Sequence, residues 1–220
     1  MEVQIPLGLD RDVNWPLMEL LLIRHAEPVK VVDATGPADP DLCDRGARQA
    51  TLLAEFLSHE GIDAIYSSPM RRAIQTAAPL GEITSLTPAI VEGLAEFDRQ
   101  ATTYIPIEEL RRTRDERFLA MLEDDYSSWG IDMGEFRSRV VEALEAIIDA
   151  HAGERVAAFC HGGVINAYIG HILGLSRSSF FAPDYTSVSR IAASRSGVRS
   201  VLRLNEVGHL RGHSLLESTV

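Results

Sequence analysis

The sequence is short of cysteine, of lysine and of long apolar runs. Cys43 and Cys160 are its only cysteines, too few for a disulfide scaffold in a chain of 220 residues that can bury its own core, so reduced thiols are expected. No stretch approaches the roughly 20 unbroken apolar residues of a bilayer span. The longest early run, Met18 to Ile23, is interrupted by Glu19 and closed by Arg24. There is no basic residue before Arg11 and no apolar segment with a small-residue cleavage site, so a cytoplasmic protein with no membrane partner is expected. Positive charge is in deficit: 21 basic residues face 32 acidic ones, a net charge of −11. Nucleic acid is therefore not an expected partner, because its phosphates would be repelled over most of the surface. Lys30 is the one lysine, so arginines must fill many structural roles, and a lone arginine is a weak site signal.

Several catalytic motifs are also missing. There is no G-x-x-x-x-G-K-[ST] phosphate loop, no G-x-G-x-x-G dinucleotide turn and no G-x-S-x-G nucleophile elbow. A cysteine-dependent phosphatase would need an arginine six residues after its cysteine, and Asn166 stands six after Cys160. His209-x-x-x-His213 has ligand-like spacing, but it follows the last strand and reads as a solvated tail, so no metal site is expected there.

What is present is an alternation of strands and helices. Residues 1–17 read as an irregular lead-in, with Trp15 as a packing residue. Glu19–Ile23 has the pattern of a strand buried on both faces. Ala47, Ala50, Leu53, Ala54 and Leu57 fall at helical spacing after Asp44, and Gly61 is a plausible stop. Ile62–Tyr66 predicts a strand, and Ser68-Pro69 predicts the N-cap and first position of a helix running to Ala78. Ile90–Leu94 is a weaker strand, Pro106–Asp124 a charged helix and Tyr126–Gly134 a loop. Phe136, Val140, Leu144, Ile147 and Ile148 mark a long helix ending near Gly153. Arg155–Cys160 is a strand, Val164–Leu173 a helix and Val188–Asn205 a hairpin turning at Gly197. The fold class expected is α/β, a mostly parallel sheet with helices on both faces, in a single domain covering 1–220.

Ligands of such sheets bind beyond the carboxyl ends of the strands. Three strand exits carry chemistry: Arg24-His25-Ala26-Glu27, then Ser67 to Arg72 entering a helix, then Cys160-His161-Gly162-Gly163 entering another. Two histidines, at least two arginines and two helix amino termini would converge on one pocket, which suits an anion and a nucleophile.

LLIRHAEP at 21–28, SSPMRRAIQTA at 67–77 and FCHGGVI at 159–165 resemble the three signature segments of the histidine phosphatase superfamily, also called the phosphoglycerate-mutase-like family. LCDRGARQA at 42–50 resembles the helix-opening segment that follows the first of them. The resemblance implies a metal-independent, cofactor-free phosphomonoesterase of histidine acid phosphatase type, acting on a small-molecule phosphomonoester. It makes His25 the nucleophile that accepts the phosphoryl group. Arg24, Arg72, His161 and Gly162 become phosphate ligands, with Arg71 a rim residue. Glu96 is the proton donor, with Glu92 as competitor. It also implies a small helical insertion, about 99–134, over the active site. A homo-oligomer is compatible with this reading.

Where family mutases continue R-H-G-E-S-x-W-N, this chain has Ala26 for the glycine and Val31 at the asparagine position. Cys43 replaces a usual threonine, and Arg99-Gln100-Ala101 replaces G-x-W-E-G. These departures favour water over a second hydroxyl as acceptor. A mutase-like phosphotransferase and a catalytically silent phosphate-binding scaffold are the alternatives. In the insertion, Arg111, Arg112, Arg114 and Arg117 interleave with Glu108, Glu109, Asp115 and Glu116, and this mixture reads as a solvated, salt-bridged face.

Overall fold

The computed structural model describes residues 17–213 and 215; the expected lead-in, with Trp15, lies outside them except for Leu17. Six strands form one sheet: β1 (Met18–Arg24), β2 (Ala64–Ser67), β3 (Ala89–Ile90), β4 (Arg155–Cys160), β5 (Val188–Ala193) and β6 (Arg199–Glu206). Among the described residues, six α-helices accompany it: α1 (Asp44–Leu57), α2 (Arg71–Thr84), α3 (Ile107–Thr113), α4 (Glu116–Leu122), α5 (Met133–Ala150) and α6 (Gly162–Ile172). The spatial order is β3-β2-β4-β1-β5-β6. β3, β2, β4 and β1 are mutually parallel, and β5 runs antiparallel to both β1 and β6.

The apolar run of β1 is continuous because both of its faces are covered. Leu20 and Leu22 pack with Phe136, Val140 and Leu144 of α5 and with Ile165 and Tyr168 of α6. Leu21 and Ile23 point the other way, among Leu53 and Leu57 of α1 and Ala77 and Leu80 of α2. β4 alternates likewise, with Val156, Ala158 and Cys160 on the first side and Ala157 and Phe159 on the second. Each fully buried leucine in these layers is worth about 1.5–3 kcal/mol of transfer free energy.

Several expected boundaries move, each for a local reason. Helix α2 starts at Arg71 rather than at Pro69; the Ser68 hydroxyl accepts the Met70 N–H at 3.3 Å and also contacts His161, while Asp39 accepts the Arg71 N–H at 3.0 and 3.2 Å. It also runs past Ala78 to Thr84 with Pro79 inside it, and Ser85 ends it in the left-handed region. Helix α1 ends at Leu57, ahead of Gly61. The strand expected over Ile90–Leu94 is confined to Ala89–Ile90 and gives way to a 3-10 turn, Glu92–Leu94. Arg139 of α5 holds that turn by donating to the Glu92 and Ala95 carbonyls at 3.1 and 3.0 Å. The charged helix over Pro106–Asp124 is two helices: Arg114 turns left-handed at φ 53°, and Asp115 caps α4 by accepting the Arg117 N–H. His209 is not in a solvated tail. It is half-buried, stacked on Phe56 of α1, and its Nε2 lies 3.0 Å from the Thr186 hydroxyl.

Candidate active site

The order β2-β4-β1 places the three chemistry-bearing exits side by side at one sheet edge. Arg24 is in register with Cys160 and Ser67 with Phe159. Backbone hydrogen bonds carry this register past the strand ends, from His25 N–H to the Cys160 carbonyl and from Ser68 N–H to the Phe159 carbonyl, both 2.9 Å. Thr76 then ties the first exit to α2: its hydroxyl accepts the Ala26 N–H at 2.9 Å and donates to the Arg72 carbonyl at 2.6 Å. Residues four apart share a helix face, which is why Thr76 stands under Arg72.

His25, Arg24, Arg72, His161 and Glu96 are all buried. The His25 and His161 rings lie 5.0 Å apart, centroid to centroid. His25 Nδ1 donates to the Ala26 carbonyl at 2.7 Å, so its Nε2 carries the lone pair and receives Arg72 Nε at 3.3 Å. Burial, then the charges of Arg72 and Arg24, press the His25 pKa well below the usual imidazole value against the opposing Ala26 carbonyl. His25 is therefore a neutral imidazole whose Nε2 lone pair is turned toward Arg72. The His161 pKa is lowered in the same way by burial, Arg72, His25 and Arg24, which disfavours its cationic form. Its Nε2 lies 2.7 Å from the Ser68 hydroxyl, and its Nδ1 is buried without a partner.

Arg72 is fully buried. Its Nη2 reaches Asp98 at 3.2 Å, its guanidinium carbon sits 4.6 Å from the Tyr104 ring centroid, and its Nη1 has no partner. Arg24 Nη1 donates to Glu108 at 2.8 Å and to the Pro183 carbonyl at 2.6 Å, with its guanidinium 3.9 Å from the Tyr185 ring centroid. Burial works against the Arg24 charge, but Glu108 and the neighbouring tyrosines outweigh it, and the pKa rises. Arg71 is exposed and pairs with Asp41.

Glu96 follows the 3-10 turn. Its two oxygens accept the Phe97 N–H at 3.0 Å and the Gly163 N–H at 2.8 Å. Burial and the Asp98 charge raise its pKa to about 7, against the two N–H groups and Arg72, which lower it. Glu92 points outward and pairs with Arg99 at 3.0 Å, so it is not brought to the pocket. Gly163 is glycine for a reason: an added Cβ would overlap the Glu96 carboxyl and lie 2.9 Å from the Phe97 ring. Gly162 is the first residue of α6, beside these groups.

Four participants escaped the sequence reading: Asp98, Tyr104, Tyr185 and Glu108. The reading of Glu108 as part of a solvated face is corrected, since it is mostly buried on Arg24 and Tyr185, although its neighbour Glu109 does pair with Lys30. Asp98 and Glu108 could have been sought as carboxylates for arginines that cannot be buried alone. No sequence signal distinguishes Tyr104 or Tyr185. Among the described residues, no group of three or more His, Cys, Asp or Glu is arranged to hold a metal ion, and no helix is long and apolar enough to cross a membrane.

The family profile of the histidine phosphatase superfamily, branch 1, matches residues 20–206. The chain belongs to that superfamily. As a histidine phosphatase superfamily member, it is 32% identical over 202 residues to phosphoserine phosphatase 1 of Hydrogenobacter thermophilus, covering 88% of this chain and 95% of that one. It is also 32% identical over 164 residues to phosphoglycerate mutase-like protein 4 of Arabidopsis thaliana, covering 71% and 70%. Its fold matches the crystal structure of phosphoserine phosphatase from Entamoeba histolytica in complex with 3-phosphoglyceric acid. The TM-score is 0.67 at 22% identity, covering 88% of this chain and 99% of that one.

Proposed function

We propose that the protein is a phosphomonoester hydrolase working through a phosphohistidine on His25, without a metal. The observation that carries this reading is a pair of buried nitrogens with no partner, Arg72 Nη1 and His161 Nδ1, beside a neutral histidine whose Nε2 lone pair meets only a long contact from Arg72 Nε. Orphaned buried polar groups are costly, and an incoming phosphoryl group would satisfy them. His25 Nε2 attacks phosphorus and the ester P–O bond breaks. Glu96, about half protonated near pH 7, delivers its proton to the departing alkoxide. The Glu96 carboxylate then takes a proton from water, whose oxygen attacks the phosphohistidine and releases phosphate. Arg24 and Arg72 offset the charge that spreads over the phosphoryl oxygens.

Water is the proposed acceptor. The mutase asparagine position is Val31, whose backbone pairs with Tyr104 in both directions and whose side chain offers no hydrogen bond. The acid-phosphatase character rests on Glu96, whose protonated form is the competent one. The segment 99–134 is proposed as the cap, since Glu108 of α3 and Tyr104 reach the two arginines.

Rapid-quench labelling with a 32P-phosphomonoester tests the reading. Acid-labile, alkali-stable label should appear on the wild type, disappear in His25→Ala and persist with EDTA present. Label retained in His25→Ala refutes the nucleophile. Activity lost to chelator and restored by zinc or magnesium refutes metal independence.

A further inference from the structure

Each arginine of the pocket already carries a carboxylate. Glu108 lies 2.8 Å from Arg24, and Asp98 lies 3.2 Å from Arg72. With both histidines neutral, the positive charge of the site is matched before any substrate arrives. Glu108 comes from α3, and its second oxygen accepts the Tyr185 hydroxyl at 2.8 Å. It is therefore one tyrosine ring away from His25, whose ring centroid is 5.7 Å from that of Tyr185. Burial alone would raise the Glu108 pKa; the charge and hydrogen bond of Arg24, with the Tyr185 hydroxyl, bring it below the usual carboxylate range.

The unpartnered, fully buried Arg72 Nη1 and His161 Nδ1 mark where an anion belongs. When a phosphoryl group takes up the charge of Arg24, Glu108 either stays beside a new anion or lets go of the one cation it pairs with among the described residues. In both cases a mostly buried carboxylate needs another positive partner. Of the cations around it, Lys30 pairs with Glu109, Arg71 with Asp41, and Arg139 with the carbonyls of Glu92 and Ala95, while Arg111 and Arg112 of α3 are exposed and form no ion pair with Glu108. An alcohol bearing a carboxylate would add a further anion against Glu108 and Asp98, whereas one bearing an ammonium group would supply the missing cation.

Building on the hydrolase reading, we infer that the site selects phosphate monoesters of amino alcohols and that Glu108 is the specificity-determining residue that receives their ammonium group. Carboxylate-bearing phosphomonoesters are the disfavoured class.

Three two-carbon esters differing in terminal charge test this: O-phosphoethanolamine, 2-hydroxyethyl phosphate and phosphoglycolate. Binding to His25→Ala is measured by calorimetry, and kcat/KM is measured on the wild type. Phosphoethanolamine should bind at least about tenfold more tightly than phosphoglycolate, the gain of one charge-assisted hydrogen bond, with the neutral ester between. Glu108→Gln in the same background should shrink the spread to within about threefold, and Glu108→Asp should keep the order. Thermal unfolding and binding of inorganic phosphate check that each variant is folded. Phosphoglycolate binding as well as phosphoethanolamine overturns the inference, and so does an order that Glu108→Gln leaves unchanged. If the wild type prefers the amine but releases phosphate from none of the esters, the inference stands and the hydrolase reading fails. If all three are hydrolysed with equal kcat/KM, the inference alone fails.

Discussion

Arg72 Nε donates to His25 Nε2 across 3.3 Å, and this contact leaves the lone pair of His25 on the nitrogen that faces the phosphate arginine. The same guanidinium reaches Asp98 and keeps Nη1 unpartnered, so its planar fork serves three directions at once. Arg72→Lys keeps the charge and loses the fork. We expect kcat/KM to fall by about 100-fold or more, from the loss of one or two charge-assisted bonds of about 1.5–3 kcal/mol each. Steady-state kinetics with the fold checked by circular dichroism measure it, and a change under threefold would contradict the assigned role.

Glu96→Gln removes the proton of the proposed general acid and keeps its shape. In kcat/KM, which reports transfer to His25 and not the shared dephosphorylation, alkyl phosphates, whose alkoxides need protonation, should slow by about 10²–10⁴-fold, while p-nitrophenyl phosphate should slow far less. Glu92→Gln should alter neither, because Glu92 is exposed and pairs with Arg99. Equal slowing of both substrates by Glu96→Gln would make Glu96 structural or phosphate-binding.

The raised Glu96 pKa of about 7 also sets a pH dependence. The protonated form is competent for transfer to His25, so kcat/KM with alkyl phosphates should fall as pH rises through about 7, and this limb should vanish in Glu96→Gln. The folded value lies above the unfolded 4.5, so the contribution to stability is present at low pH and is lost as pH rises through 7. That loss is on the order of 3 kcal/mol. Denaturant titrations at pH 5 and pH 8 should show a smaller decrease for Glu96→Gln than for the wild type.

Gly163→Ala should disable the acid without touching the nucleophile. The new Cβ would push the Glu96 carboxyl off the Gly163 N–H. Alkyl phosphate turnover should drop, with p-nitrophenyl phosphate largely spared and phosphohistidine labelling retained. Loss of labelling would show that the α6 start had moved as a whole.

Cys160→Ser tests a residue beside the site that takes no part in it. Burial first, then the Glu96 charge, push its thiol pKa up, so no thiolate is available at neutral pH. We expect kcat within about threefold of the wild type and a stability loss of about 1–3 kcal/mol from a hydroxyl placed in an apolar layer. A loss of activity like that of His25→Ala would identify the wrong nucleophile.

The sequence alone carried the sheet and most of the candidate site. An unbroken apolar run such as Leu20–Ile23 is stable only between two covered faces, and Arg24-His25, Ser68 to Arg72 and His161-Gly162-Gly163 each sit where such strands end. The resemblance then gave those residues roles. The pattern favoured Glu96 and left Glu92 as a competitor, because both lie in one short segment; Glu96 is buried against the Gly163 N–H, whereas Glu92 is exposed and pairs with Arg99. Glu108 was illegible for a related reason. Alternating charges on α3 look solvated when read along the chain, and only the approach of α3 to Arg24 and Tyr185 buries one of them. Strands and motif residues are fixed by local hydrophobic periodicity and by backbone geometry, which a chain carries with it. The partners of buried charges are fixed by desolvation, which depends on what packs overhead and so belongs to the tertiary structure.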